Sequence, residues 1–152
     1  MRIGDLARTT GTPVQTIRFY EQQGLLAPPR REDNNYRVYV DAHVERLAFI
    51  RQCRGLDMTL DEIRALLALR DRPGPDCSEV NALLDEHIGH VAERIRELRT
   101  LERELRVLRA RCSGPNPLAD CGILQQLDSA AAASPAHTAA PARSHVHGPH
   151  RR

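Results

Sequence analysis

Apolar residues recur at spacings of three and four through most of this chain, so helices dominate the expected structure. Ile3, Leu6 and Ala7 line one side of a short helix that stops at Gly11. Thr12 before Pro13 caps and starts a second helix over 13–23, which Gly24 ends. Two short helices joined by a tight turn make a helix-turn-helix candidate. The run Tyr36-Arg37-Val38-Tyr39-Val40 favours a strand, and with the preceding Pro28-Pro29-Arg30-Arg31 it reads as a small basic hairpin, or wing. A third helix begins near Asp41, carries Val44, Leu47, Ala48 and Ile50, and ends at Gly55. Thr59-Leu60-Asp61-Glu62 is a capping box that opens a fourth, with Ile63, Leu66, Leu67 and Leu69 on one side. Arg72-Pro73-Gly74-Pro75-Asp76 is a rigid break.

Residues 78–111 read as one unbroken helix. Val80, Leu84, His87, Val91, Ile95, Leu98, Leu101, Leu105 and Leu108 fall close to a heptad seam, and a long helix with a one-sided Leu stripe needs a partner helix. Beyond Leu127 comes Ser129-Ala130-Ala131-Ala132-Ala133-Ser134-Pro135 and a His/Pro/Ala tail with the composition of a disordered segment. The expected fold is mainly α. Its parts are a winged helix-turn-helix DNA-binding domain over 1–72, a linker and dimerisation helix over 73–111, a metal-binding loop and short helix over 112–127, and a disordered His-containing tail over 128–152.

Aromatics make up only 3% of the chain, so its core must be aliphatic. No stretch approaches 18 apolar residues and the first residues lack a signal-peptide core, which leads us to expect a cytoplasmic protein without a membrane partner. In a reducing compartment, four cysteines speak for metal or redox chemistry rather than a disulfide framework. The formal net charge of +2 is too small to announce a nucleic-acid partner by itself. There is no Gly-rich phosphate loop and no nucleophile with an adjacent base, so an enzyme is not expected.

For DNA, the second helix offers Gln15, Thr16, Arg18 and Tyr20 to the major groove. The wing offers Arg30, Arg31, Tyr36 and Arg37 to phosphates and the minor groove. The bland alternative is a small helical bundle with a solvated charged face. For the thiols, a helix over 78–111 keeps Cys77 and Cys112 roughly 50 Å apart in one chain, at about 1.5 Å per residue. Antiparallel pairing of two such helices would bring Cys77 of one copy beside Cys112 of the other, with Cys121 returned by the loop over 113–120. Thiolates are soft ligands suited to Cd, Pb, Zn, Hg or Cu(I). A thiol redox switch using Cys112 and Cys121 is the competing reading. Cys53, near Phe49 and Ile50, reads as a small core hydrophobe. His87 and His90 are either polar seam residues that set register or auxiliary metal ligands. His137, His145, His147 and His150 could capture a borderline metal or do nothing specific.

Several runs resemble the MerR family of transcriptional regulators: Ile3-Gly4-Asp5-Leu6-Ala7, Thr16-Ile17-Arg18-Phe19-Tyr20-Glu21, Gly24-Leu25-Leu26, Asn35-Tyr36-Arg37 with Tyr39, and Leu60 with Glu62-Ile63. The segments Asn81-Ala82-Leu83-Leu84-Asp85-Glu86-His87-Ile88 and Cys112 to Cys121-Gly122-Ile123-Leu124 are similar to its cadmium- and lead-responsive branch, the CadR- and PbrR-like proteins. The resemblance implies a homodimer, joined through an antiparallel helix, on double-stranded promoter DNA. Metal binding would distort the operator so that RNA polymerase can read both promoter elements and transcribe heavy-metal resistance genes. The implied ligands are Cys77 of the partner chain with Cys112 and Cys121, and the implied ion is Pb(II) or Cd(II), with Zn(II) or Hg(II) also able to bind. In this family a Cys at the position of Cys77 goes with divalent-metal sensing, whereas monovalent copper sensors carry Ser. The same DNA-binding half gated by thiol oxidation or an organic ligand is the alternative.

Overall fold

The structure, a computed structural model, describes residues 1–31, 33 and 36–134. Its elements are α1 (Ile3–Thr10), α2 (Val14–Gln22), β1 (Arg30–Arg31), β2 (Arg37–Val38), α3 (Asp41–Gly55), α4 (Leu60–Asp71), α5 (Ser78–Arg109), a 3-10 turn (Leu118–Asp120) and α6 (Gly122–Ala133). Residues Met1–Glu93 form one compact unit and the described residues from Arg94 onward a second, with α5 contributing to each.

Local signals set the element ends. Gly11 closes α1 at φ +62°, in the left-handed region that a side chain strains to adopt. A Cβ there would also stand 2.7 Å from Arg51 Nη1, the atom that donates to the Thr10 carbonyl at 2.9 Å. Thr59 and Glu62 form the reciprocal cap of α4: Glu62 N–H donates to Thr59 Oγ1 at 3.2 Å and Thr59 N–H donates to Glu62 Oε2 at 2.9 Å. Asp76 Oδ1 accepts from Ser78 N–H at 2.9 Å and starts α5.

Two aliphatic clusters hold the first unit together. Leu6, Ile17, Leu26, Tyr39 and Leu47 pack beneath α1, α2 and the wing. Leu25, Ile50, Cys53, Met58, Ile63 and Leu67 pack between α3 and α4, with Leu83 and Leu84 of α5 closing the far side. Each fully buried Leu or Ile contributes roughly 1.5–3 kcal/mol. Arg46 spans the unit: its Nε donates to the Leu25 carbonyl at 2.6 Å and its Nη1 grips both Asp71 oxygens at 2.9 and 3.0 Å.

The wing is a two-stranded antiparallel hairpin pairing Arg30 with Val38 and Arg31 with Arg37, shorter than the five-residue strand the sequence suggests. At the other end of the chain, α6 runs to Ala133 rather than stopping near Leu127, so residues 128–133 are helical, contrary to expectation. Alanine has the highest helix propensity of all residues, and a low-complexity alanine run extends a helix already started. The rest of the proposed disordered tail, with His137, His145, His147 and His150, lies outside the described residues. Among the described residues no helix is long and apolar enough to cross a membrane.

Candidate nucleic-acid interface and metal centre

Ile17 anchors α2 in the core, so its neighbours face outward: Gln15, Arg18 and Phe19 are exposed and Thr16 is half-buried. Tyr20, expected at the DNA, packs half-buried against both aliphatic clusters. On the wing Arg30, Arg31, Tyr36 and Arg37 are all exposed. Three features of this surface were not read from the sequence. The Arg2 guanidinium lies over the Tyr36 ring at 5.0 Å, giving the aromatic a cationic cover. Phe19 stands 43% exposed, an aromatic ring left outward on α2. Tyr39, fully buried, donates from its hydroxyl to Glu21 Oε1 at 2.7 Å and so bolts the wing to α2. Burial, then the Glu21 carboxylate, pushes the Tyr39 hydroxyl far above its ordinary range, against the opposing pull of Arg37 and Arg18.

Cys77 is exposed, one residue ahead of α5. Cys112 and Cys121 are half-buried, and their side chains are within hydrogen-bonding reach across the loop between α5 and α6. The Cys112 Sγ lies 3.7 Å from the Gly114 carbonyl and 3.9 Å from Asn116 Nδ2, which donates to it. Cys121 sits at the first turn of α6. The Leu124 N–H, then the Ile123 N–H and the Cys112 thiol, outweigh burial and lower the Cys121 pKa, favouring thiolate. Gly122 makes the return possible: a Cβ there would lie 2.4 Å from the Arg111 carbonyl oxygen. Two soft ligands therefore sit together, one of them with its pKa lowered, which fits a thiophilic cation as well as a reversible disulfide. Cys53 is 5% exposed in the core, where burial raises its pKa, in keeping with its reading as a hydrophobe.

His87 requires a correction. The heptad spacing puts it on the seam between chains, but it is 8% exposed and turned into its own chain, with Nε2 2.9 Å from the Leu56 carbonyl and Nδ1 3.0 Å from Glu62 Oε2. The helical spacing is right and the surface is wrong, because the first turns of α5 belong to the core of the first unit. His90, exposed, points Nδ1 at Glu62 Oε1 at 2.9 Å. Burial pushes the Glu62 carboxyl upward, but the Thr59 N–H, His90 and His87 outweigh it and hold it below the ordinary range. The Leu56 carbonyl, then Glu62, outweigh burial and raise the His87 pKa.

A helix-turn-helix with a basic wing, followed by a long helix and a thiol loop, defines a DNA-binding regulator. Residues 1–69 match the family described as MerR HTH family regulatory protein, and 44–108 match MerR, DNA binding. The chain belongs to the MerR family of transcriptional regulators. It is 49% identical over 109 residues to the HTH-type transcriptional regulator ZntR homolog of Haemophilus influenzae, covering 72% of this chain and 81% of that protein. Among solved structures it is similar to PbrR691 from Ralstonia metallidurans CH34 in complex with lead(II), at 54% identity and a TM-score of 0.73, covering 84% of this chain and 98% of that one. It also resembles MerR from Bacillus megaterium MB1 in complex with mercury(II), at 34% identity and a TM-score of 0.65, covering 84% and 99%.

Proposed function

We propose that the protein is a homodimeric, soft-metal-responsive activator whose sensor joins Cys77 of one copy to Cys112 and Cys121 of the other. The observation that carries this reading is the Cys112–Cys121 pair, a two-sulfur half-site that takes a third thiol from elsewhere. The exposed Val91, Ile95, Leu98, Leu101 and Leu105 along α5, each 39–56% exposed, supply the apolar face for antiparallel pairing. Similarity to structures that hold lead(II) and mercury(II) supports a soft cation. Three thiolates suit Pb(II), and serve Cd(II) with an added oxygen, whereas Zn(II) usually takes four tetrahedral ligands.

Cys77 of one copy with Cys112 and Cys121 of the other would hold the cation, which when bound would link the two copies through soft thiolate ligands. The chain does the rest. The N–H groups of Leu124 and Ile123 lower the pKa of Cys121, and Gly122 keeps it beside Cys112. α5 carries the change of pairing to the DNA-binding unit, where Gln15, Thr16 and Arg18 face the major groove and Arg30, Arg31, Tyr36 and Arg37 grip the flanking backbone. On an operator with surplus spacing, each extra base pair turns the promoter elements out of line by roughly 35°, and bending and untwisting restore the alignment RNA polymerase requires.

Mixed dimers test the arrangement. Cys77→Ser subunits combined with Cys112→Ser/Cys121→Ser subunits should regain one high-affinity Pb(II) site per dimer, while each parental dimer has none. A mixed dimer without that site sinks the cross-chain reading. The proximity of Cys112 to a Cys121 of lowered pKa favours a second reading, gating by thiol oxidation. Under it, Cys77→Ser protein would keep a full transcriptional response to peroxide and show none that depends on Pb(II).

A further inference from the structure

Glu62, His87 and His90 converge where α4 faces the early turns of α5, and no cysteine is among them. The Leu56 carbonyl can only accept, so the contact at 2.9 Å places the His87 proton on Nε2. With Nε2–H spent on that carbonyl, Nδ1 faces Glu62 Oε2 at 3.0 Å: an N–H donor to the carboxylate when the ring carries a second proton, and a lone pair set against it when the ring is neutral. That Nδ1 is fully enclosed and has no donor to satisfy it. Against a neutral ring the enclosed nitrogen and the carboxylate need a cation between them, either a second ring proton or a metal ion.

His90, three residues along the same face of α5, aims its own Nδ1 at the second oxygen of the same carboxylate, 2.9 Å away. Its Nε2 faces Glu86 at 3.9 Å. The candidate ligand atoms all lie within 4.8 Å of one another. A four-coordinate ion with bonds of about 2.0–2.1 Å keeps its ligands some 3.3 Å apart, so the most widely separated ligand atoms close by up to about 1.5 Å to hold it. An imidazole whose other N–H is anchored on a backbone carbonyl is the usual outer support of a metal-ligating histidine. Protons on the two Nδ1 atoms and one divalent cation are alternative occupants of this space, and only the cation takes both nitrogens and the shared carboxylate at once.

We infer that Glu62, His87 and His90 form a second metal site, a nitrogen-and-oxygen set within one chain for a borderline divalent cation such as Zn(II), Co(II) or Ni(II). Imidazole and carboxylate prefer that class to the softer ions of a thiolate site. Its ligands come from α4 of the DNA-binding unit and from α5, so occupancy fixes the point where the long helix leaves that unit. The site needs neither a partner chain nor the cysteines.

Co(II) serves as the probe. Full-length Cys77→Ser/Cys112→Ser/Cys121→Ser protein with His137, His145, His147 and His150 changed to Ala is titrated, following visible d–d absorption. One Co(II) per chain is expected, free of thiolate charge-transfer bands and displaced by Zn(II). His90→Ala, at an exposed position, should weaken binding at least tenfold. Glu62→Gln, which can still cap α4, should do the same, and both variants should keep wild-type helix content. Absence of a Co(II) site, or affinity unchanged in both variants, overturns the inference. So does a long-range 1H–15N spectrum in which His87 Nδ1 stays protonated at saturating Zn(II). Should the thiol-free chain fail to fold, wild-type protein with its thiols filled by Hg(II) takes its place: a His90-dependent Co(II) spectrum supports the site and its absence rejects it.

Discussion

At Gly122 a single methyl group would collide with the chain's own backbone, 2.4 Å from the Arg111 carbonyl oxygen. A backbone neighbour cannot swing aside, so Gly122→Ala should push the 113–121 loop outward and part Cys121 from Cys112. We expect at least a tenfold loss of Pb(II) affinity in a competitive titration, with metal-free operator binding unchanged; equal Pb(II) affinity would show that the thiols tolerate the shift. The sequence made the thiols visible because three of the four stand where packing needs no sulfur, at a helix end or in a loop. It hid Glu62, whose place in a capping box already accounted for a carboxylate there. His87 was misplaced for a related reason: a histidine within a stripe of aliphatic residues shares their periodicity, and periodicity does not say which body the stripe packs against.

Among the elements, α1 to α4 were legible nearly to the residue, since Gly11, Gly24, Gly55 and the Thr59–Glu62 box are stop and start signals that act locally. The wing was legible as a basic hairpin, but not its tether, because the Tyr39 hydroxyl finds Glu21 only after α2 and β2 have folded together. Alanines 130–133 were mistaken for part of the tail, their composition outweighing their propensity. The wing's exposed Arg37 gives this scale its prediction. Arg37→Ala should lower the slope of log affinity against log salt by about 1, with helix content unchanged. Operator titrations between low and moderate salt check this, and an unaltered slope would remove Arg37 from the phosphate backbone.

For the molecule as a whole, the three cysteines are proposed to be the entire sensor and residues 136–152 dispensable for switching. A chain truncated after Pro135 should bind its operator and respond to Pb(II) or Cd(II) ahead of Zn(II), as full-length protein does, while losing weak metal sites. Transcription assays at saturating metal decide; a silent truncated protein would place the tail in the switch. The division of α5 has a further outcome. Its opening turns, through Leu83, Leu84 and His87, complete one chain's core, while Leu98, Leu101 and Leu105 further along lie exposed. Pairing along the bare stripe would make assembly a matter of mass action, so sensitivity would depend on how much regulator the cell contains as well as on how tightly each thiol holds its ion. When copies are scarce, unpaired chains would carry DNA-reading surfaces but incomplete detectors. A change in the strength of the regulator's own promoter would then move the concentration of metal at which the alarm sounds, with no change to any ligand.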